Sequence, residues 1–131
     1  MKRFGLSAEE RIKSGKDFDE IFSRGKTIFS ADKKIKAIFV LEKNKTPAVK
    51  IAVAVNKKKG QAVWRNRVKR LFKEAYRRNK EIVRRIVLKK NYILKIVFSP
   101  NNISEKEYKK IFLIDVMPAM IDILIKLKEK M

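Results

Sequence analysis

A long amphipathic segment limits what this chain can fold into more than any other feature. From Gln61 to about Ile86, apolar side chains fall within an arc of roughly 100° when successive residues are placed about 100° apart on a helical wheel. The members of this apolar stripe are Trp64, Val68, Leu71, Phe72, Ala75, Ile82 and Ile86. The pattern predicts one long helix that packs with this face against the rest of a folded domain.

The opposite side of the same predicted helix is cationic. It carries Arg65, Asn66, Lys69, Arg70, Lys73, Arg77, Lys80 and Arg84. Fifteen Lys or Arg residues lie between Lys57 and Lys90, against only two acids, so +13 of the formal charge of +21 is concentrated there. A solvated helix face usually mixes both signs in i, i+4 pairs. This face therefore predicts a binding surface for a polyanion.

The five residues before the helix extend the cationic surface. Residues 56–60 read Asn-Lys-Lys-Lys-Gly and connect a predicted strand to the helix N-terminus. Free backbone N–H groups and the helix dipole favour phosphate at such a position, so we expect one continuous anion-binding surface. Affinity should then fall by roughly 0.7 to 0.9 log units per log unit of salt for every phosphate contacted. A nucleic acid is favoured over a small anionic substrate.

Shorter patterns place the other elements. Ser14 resembles the start of a capping box, which predicts a helix over 15–24 that stops at Gly25 in the left-handed conformation. Residues 36–42 and 49–55 predict two strands joined by a hairpin-like connector, and residues 92–98 predict a further buried strand.

The C-terminal part is predicted to be helical. A second capping box at Ser104 and Glu107 predicts a helix through about Val116, interrupted at Pro118 and continued over 119–130. The tail after residue 114 is interpreted as a core-covering helix, with a partner-binding or membrane-surface helix as the alternative. The resulting order is α, β, β, α, β, α, with an additional short strand that the pattern does not locate. The chain length predicts one domain spanning 1–131.

The missing residue types exclude several kinds of site. The chain has no cysteine and no histidine, which excludes disulfides, Cys/His zinc sites and catalytic triads with a histidine base. The one acidic cluster, Asp17, Asp19 and Glu20, leaves open a protein-only nuclease that binds Mg²⁺. The first fifteen residues lack a signal-peptide core, and the apolar runs are far shorter than the ~20 residues of a membrane span. We expect a cytoplasmic protein that does not enter a membrane.

Three aromatic residues have two possible roles. Phe18 and Phe22 are four residues apart on one predicted helix face, and Phe39 lies in a predicted strand. Each is consistent with a place in the core or with a platform on which bases stack. Ala52 and Ala54 leave one side of their strand shallow, which would admit either a helix or an unstacked base.

Residues 56–76, NKKKGQAVWRNRVKRLFKEAY, resemble the signature of the protein component of bacterial ribonuclease P. The hallmark is Arg65-Asn66-Arg67, followed by Lys69 and Arg70, just after the Lys57–Gly60 loop. The pattern of Asp17, Phe18, Phe22 and Gly25 is similar to the first helix of that family. The likeness covers about residues 10–112, and its departures, such as asparagine instead of serine at position 56, preserve polarity.

The resemblance implies an α+β fold with a sheet of about four strands, similar to a ribosomal protein. In this family two parallel strands are joined through the main helix by a left-handed crossover, against the usual right-handed rule. The resemblance further implies that an RNA subunit carries the chemistry with Mg²⁺, and that the protein itself has no catalytic residue, metal site or cofactor. The implied partners are ribonuclease P RNA, with one protein per RNA, and precursor tRNA, whose 5′ leader is removed.

The resemblance also assigns roles to residues. Together with the loop and the cationic face, it predicts that RNA is bound by Lys57, Lys58, Arg65, Asn66, Arg67, Lys69, Arg70, Lys73 and Arg77. Of these, Arg65, Asn66 and Lys69 would lie near the cleavage site. Phe18, Phe22 and Phe39 would line a cleft for the leader. The alternative is a general RNA-binding or ribosomal-type protein without a processing role.

Overall fold

Four strands form one mixed sheet in the spatial order β1-β2-β4-β3. The computed structural model describes residues 6–131. The strands are β1 (Lys26–Phe29), β2 (Ile35–Lys43), β3 (Ala48–Val53) and β4 (Tyr92–Pro100). Strand β1 is the additional strand that the sequence pattern did not locate.

The predicted hairpin between β2 and β3 is wrong. Strand β2 pairs antiparallel with β1 and β4, whereas β3 pairs in parallel with β4, so β4 lies between β2 and β3. In this register Val97 of β4 stands between Ile38 of β2 and Ala52 of β3. A short polar connector indicates that the chain turns, but it does not specify which strand will fill the adjacent place in the sheet. Here the place beside β2 is filled by β4, which begins about fifty residues after β2 ends.

Four α-helices surround the sheet. They are α1 (Gly15–Arg24), α2 (Ala62–Asn79), α3 (Glu81–Lys90) and α4 (Leu113–Glu129). The prediction of α1 is confirmed, and the Asp17 N–H donates to Ser14 Oγ at 3.0 Å as the capping pattern indicated. Gly25 is extended, with φ −71°, and not left-handed. Glycine is required there because a Cβ would collide with the Ile21 carbonyl oxygen and lie 2.7 Å from Ile38 Cγ2.

The single long helix predicted over 61–86 is two helices that meet at Lys80. A straight helix over 62–90 would be about 43 Å long, whereas a nine-residue strand spans about 30 Å, so the helix must turn to stay on the sheet. The turn shifts the buried face by one residue, so that Val83 and Val87 are buried and Ile82 and Ile86 only partly so. The buried positions predicted in α2 at residues 64, 68, 72 and 75 are confirmed, whereas Leu71, also part of the predicted stripe, is only half-buried.

Residues 104–112 form turns and not the predicted helix. The side chains of Ser104 and Glu107 do interact, at 3.3 Å, but they close a local turn. Helix α4 then runs through Pro118 without interruption. Proline lacks the N–H that would bond the Ile114 carbonyl, and residue 114 is 77% exposed, so water can reach that end of the helix.

The sheet has a different core on each face. Helices α2, α3 and α4 cover the main core, to which β2 contributes Ile35, Ala37 and Phe39. Helix α1 covers a smaller core on the other face, to which β2 contributes Ile38 and Val40. Six residues of α4 are buried, which confirms the interpretation of the tail as a core-covering helix. Within residues 6–131, the helices are all too short or too polar to cross a bilayer.

Candidate nucleic-acid interface

Residues 104–112, named the strap, hold the first half of α2 in place. Three hydrogen bonds of 2.8 Å connect the two segments: Trp64 Nε1 donates to the Tyr108 carbonyl, Arg67 Nε to the Ile111 carbonyl, and the Gln61 N–H to Glu105 Oε1. Because the strap covers the flank of α2 that carries Trp64, the opposite flank of the helix faces outward.

That outward flank carries the cationic strip, defined as Arg65, Asn66, Lys69, Arg70 and Lys73. Asn66 and Arg70 are exposed, and the other three residues are half-buried. Arg65 Nε donates to the Gly60 carbonyl at 3.0 Å, which orients its guanidinium group. In the part of the chain that the structure describes, no acid forms a salt bridge with Arg65, Lys69 or Arg70. Their charges are available to an anionic partner.

The residues that follow the strip in α2 and α3 differ, because several of their cations have acidic partners within the protein. Glu74 bonds both Arg77 and Arg78 at 2.7 Å, and these hydrogen bonds, that of Arg77 above all, hold the pKa of the Glu74 carboxyl below its ordinary value. Lys80 pairs with Glu10 at 3.1 Å, and Arg84 with Glu81 at 3.2 Å. Arg77, a predicted RNA-binding residue, therefore already has an acidic partner within the protein.

The loop before α2 adds two exposed cations. Lys57 and Lys58 are exposed on a short 3₁₀ turn, which the Asn56 side chain caps by accepting from the Lys58 N–H at 2.8 Å. Lys59 instead turns inward and donates to the Asn101 carbonyl.

The expected phosphate position at the start of α2 is corrected by the structure. The carboxylate of Glu105 accepts the Gln61 N–H there, so the protein caps this helix end itself. The loop and the strip therefore supply side-chain cations to the anion surface, and a carboxylate of the protein lies at the helix terminus between them.

The three predicted cleft aromatics do not lie on one face of the sheet: Phe18 and Phe22 are together, and Phe39 is apart from them. Phe18 and Phe22 stack on α1, with ring centroids 6.4 Å apart, and Phe22 is 55% exposed. Phe39 is only 4% exposed and belongs to the main core on the other face of the sheet. Successive strand residues point to opposite faces, so Ile38 and Val40 face α1 and Phe39 cannot. The prediction that Phe39 lines the same cleft is wrong.

A polar groove of about 660 Å³ lies between the strand ends and the loop before α2. The groove is lined by Lys36, Ala54, Val55, Asn56, Lys58, Lys59, Ser99, Pro100, Asn101 and Ser104. Ala52 and Ala54 both pack against the small core under α1, and Ala54 also borders this groove. Helix α1 thus packs against the alanine side of this strand, and an open groove remains beside the helix. Sequence reasoning missed Lys36, Ser99 and Asn101, because only the pairing of β2 with β4 brings them together.

The acidic cluster of α1 is engaged by a lysine. Lys95 of β4 donates to Asp17 at 3.0 Å and to Glu20 at 3.2 Å, and the bond to Lys95 lowers the pKa of the Asp17 carboxyl. Over residues 6–131, no three acidic side chains converge in a way that would hold a metal ion. This cluster attaches α1 to the sheet.

Known proteins with similar sequences share one description. A family model described as Ribonuclease P matches residues 6–113. The ribonuclease P protein component of Clostridium botulinum is 34% identical over 118 residues, which cover 90% of this chain and 94% of that protein. The corresponding protein of Bacillus velezensis is 30% identical over 105 residues, which cover 80% of this chain and 84% of that one.

Solved structures agree in fold. The ribonuclease P protein from Thermotoga maritima aligns with a TM-score of 0.69 at 26% identity, covering 89% of this chain and 96% of that chain. The ribonuclease P protein from Staphylococcus aureus aligns with a TM-score of 0.64 at 21% identity, covering 90% and 94%. The latter similarity concerns the fold alone.

Proposed function

Since this chain belongs to the ribonuclease P protein family, we propose that it binds the RNA subunit of ribonuclease P and the 5′ leader of precursor tRNA. In this role it promotes the endonucleolytic removal of the leader, which produces the mature 5′ end of the tRNA. One protein acts with one RNA, in the cytoplasm.

The main support for RNA binding is the difference between the cationic strip and the residues that follow it in α2 and α3. Arg84 and Arg85 of α3 share Glu81 as an acidic partner, whereas Arg65, Lys69 and Arg70 of the strip have none among the described residues. Arginine presents a planar fork of donors that suits phosphate, and lysine adds point charges. Neutralising phosphates with these side chains releases counterions, which supports binding to RNA at moderate salt.

The leader is assigned to the face of the sheet that carries α1. Phe22 offers an exposed ring, and the groove beside Ala54 offers Lys36 and Lys58 for backbone phosphates. Stacking on aromatic rings tolerates any base, which suits leaders of different sequence. An exposed ring and a cationic groove on one face of the sheet thus support a single-strand binding site.

The chemistry is assigned to the RNA partner and to Mg²⁺ ions held by that RNA. Asp17 and Glu20 both bond Lys95, so the acidic cluster of α1 already has a structural role. The protein contributes affinity and positioning, because its surface supplies cations and aromatic rings in place of acid–base groups.

Reconstitution tests the proposal. Cognate ribonuclease P RNA is incubated with labelled precursor tRNA at low Mg²⁺, with and without the purified protein, and the released leader is measured. We expect efficient cleavage only with both components, and none with protein alone. Absence of any stimulation with the cognate RNA would overturn the proposal. Equal affinity for precursor and mature tRNA in a competition experiment would indicate a general RNA-binding protein instead.

A further inference from the structure

An exposed aromatic ring lies beside the signature residues. Phe112, the last residue of the strap, is 54% exposed. The guanidinium carbon of Arg67 lies over this ring, 5.7 Å from its centroid. Because Arg67 covers one face of a residue that is half exposed, the remaining surface of the ring is open to a ligand.

The position of this ring is well determined. Arg67 Nε donates to the carbonyl of Ile111, the residue before Phe112, at 2.8 Å. The Phe112 N–H donates to Asp115 Oδ2 at 2.7 Å, at the start of α4. Both bonds involve backbone atoms of the strap, which fixes the position of the Phe112 ring. The Phe112 side chain can therefore be replaced without loss of either bond.

The surroundings of the ring are cationic. A groove of about 310 Å³ beside it is lined by Arg67, Arg70, Leu71, Glu74, Arg78 and Leu113. The acid of this groove, Glu74, is bonded to Arg77 and Arg78. Lys109 and Lys110, two exposed residues of the strap, precede the ring in sequence. A second copy of this chain would bring like charges together here, whereas a nucleotide supplies a flat base and a phosphate.

We propose that Phe112 and Arg67 form a stacking site for one unpaired nucleobase of ribonuclease P RNA, with Arg70 contacting the phosphate of that nucleotide. The site rests on the proposed function, since its ligand is the RNA subunit. It adds the strap to the interface that α2 forms. Stacking of a base on the open face of Phe112 places the ring between the base and the guanidinium group.

Binding of cognate ribonuclease P RNA is measured over a range of salt concentrations for Phe112→Ala, Phe112→Leu and Phe112→Trp. We expect the alanine and leucine variants to bind about 5- to 100-fold more weakly, with an unchanged salt dependence because a neutral ring contacts no phosphate. The tryptophan variant should retain its affinity, and the added fluorescence should be quenched when RNA binds. Ile125→Ala, which truncates an exposed apolar residue on α4, away from the strap in sequence, is the control and should bind normally.

The outcomes separate this inference from the proposed function. Full affinity of Phe112→Leu, or no fluorescence change in Phe112→Trp on binding, would overturn stacking while leaving RNA binding intact. Failure of the unmodified protein to bind the RNA would instead contradict the proposed function. Concentration-dependent dimers that Phe112→Ala abolishes, seen by analytical ultracentrifugation, would show that the ring contacts a second copy and would also overturn the inference.

Discussion

Phe18 and Phe39 lie on opposite faces of the sheet. Phe18 packs from α1 against the small core that contains Val40 and Val97. Phe39 is buried in the main core, one residue from Val40 in sequence but on the other side of β2. The aromatic residues that were predicted to act together are therefore separated by the thickness of the sheet, and their substitution should have different consequences.

The first prediction concerns the two environments of these aromatics. Phe22→Ala should reduce the free energy of unfolding by about 1 kcal/mol or less, because its ring is more than half exposed. It should weaken precursor tRNA binding by about 1–3 kcal/mol and leave mature tRNA binding unchanged. Phe39→Ala should instead destabilise the protein by about 3–5 kcal/mol, as a core truncation does. Urea unfolding and tRNA affinity measure the two effects. A stable Phe39→Ala that selectively loses leader binding would contradict this assignment.

The second prediction concerns the cationic strip. Lys69→Ala should lower RNA affinity and reduce the slope of log affinity against log salt by about 0.7 to 0.9, since one phosphate contact is lost. The melting temperature should change little, because Lys69 makes no salt bridge within residues 6–131. Lys128→Ala is the matched control: it removes the same charge from the exposed far end of α4. Equal slopes for the two variants would mean that the strip is not the RNA-binding surface.

The third prediction concerns the carboxylate at the start of α2. Glu105→Ala removes the acceptor of the Gln61 N–H and should cost about 0.5–2 kcal/mol of unfolding free energy, as loss of a helix cap does. The salt dependence of RNA binding should be preserved, because a cap neutralises no phosphate. Glu129→Ala, which removes an exposed carboxylate without a hydrogen bond or salt bridge among the described residues, is the control and should be close to wild type in stability. A Glu105→Ala protein as stable as the control would show that the cap contributes nothing measurable.

The fourth prediction concerns the attachment of α1 in acid. The hydrogen bond from Lys95, followed in effect by the charges of Lys95 and Lys50, lowers the pKa of Asp17 in the folded protein. Asp17 therefore binds a proton more readily in the unfolded state than in the folded state. The stabilisation from its pairing with Lys95 is complete above pH ~4, and it is lost as the pH falls through the lowered pKa of Asp17 in the folded protein.

Urea midpoints between pH 2.5 and 6 test this dependence. Asp17→Asn should be less stable than wild type near neutral pH, with a difference that shrinks in acid. Asp19→Asn, on the same helix and without a salt bridge in the described residues, should keep the wild-type pH dependence. A constant difference between Asp17→Asn and wild type at every pH would contradict the ion pair as its cause.

Sequence patterns predicted those features of the fold that depend on interactions between near neighbours in the chain. The bounds of α1 and the buried positions of α2 follow from capping and from the spacing of apolar residues, which act within a few neighbouring residues. The break at Lys80 was not predictable in the same way, because each half of the pattern by itself fits one continuous helix. One straight helix over these residues would be longer than the strands, so the break keeps both halves over the sheet.

The sequence alone determined that this protein has one amphipathic helical layer, an excess of positive charge on it and a signature of the ribonuclease P family. Tertiary structure decided which of those charges are paired within the protein: Glu74 and Glu10 neutralise some, whereas Arg65, Lys69 and Arg70 form no salt bridge among the described residues. It also decided that β4 separates β2 from β3, and that Phe39 is in the core. The physical reason is the separation of the interacting residues along the chain. Periodicity and capping act between near neighbours, whereas strand order, sheet face and ion pairing depend on residues that are distant in the sequence.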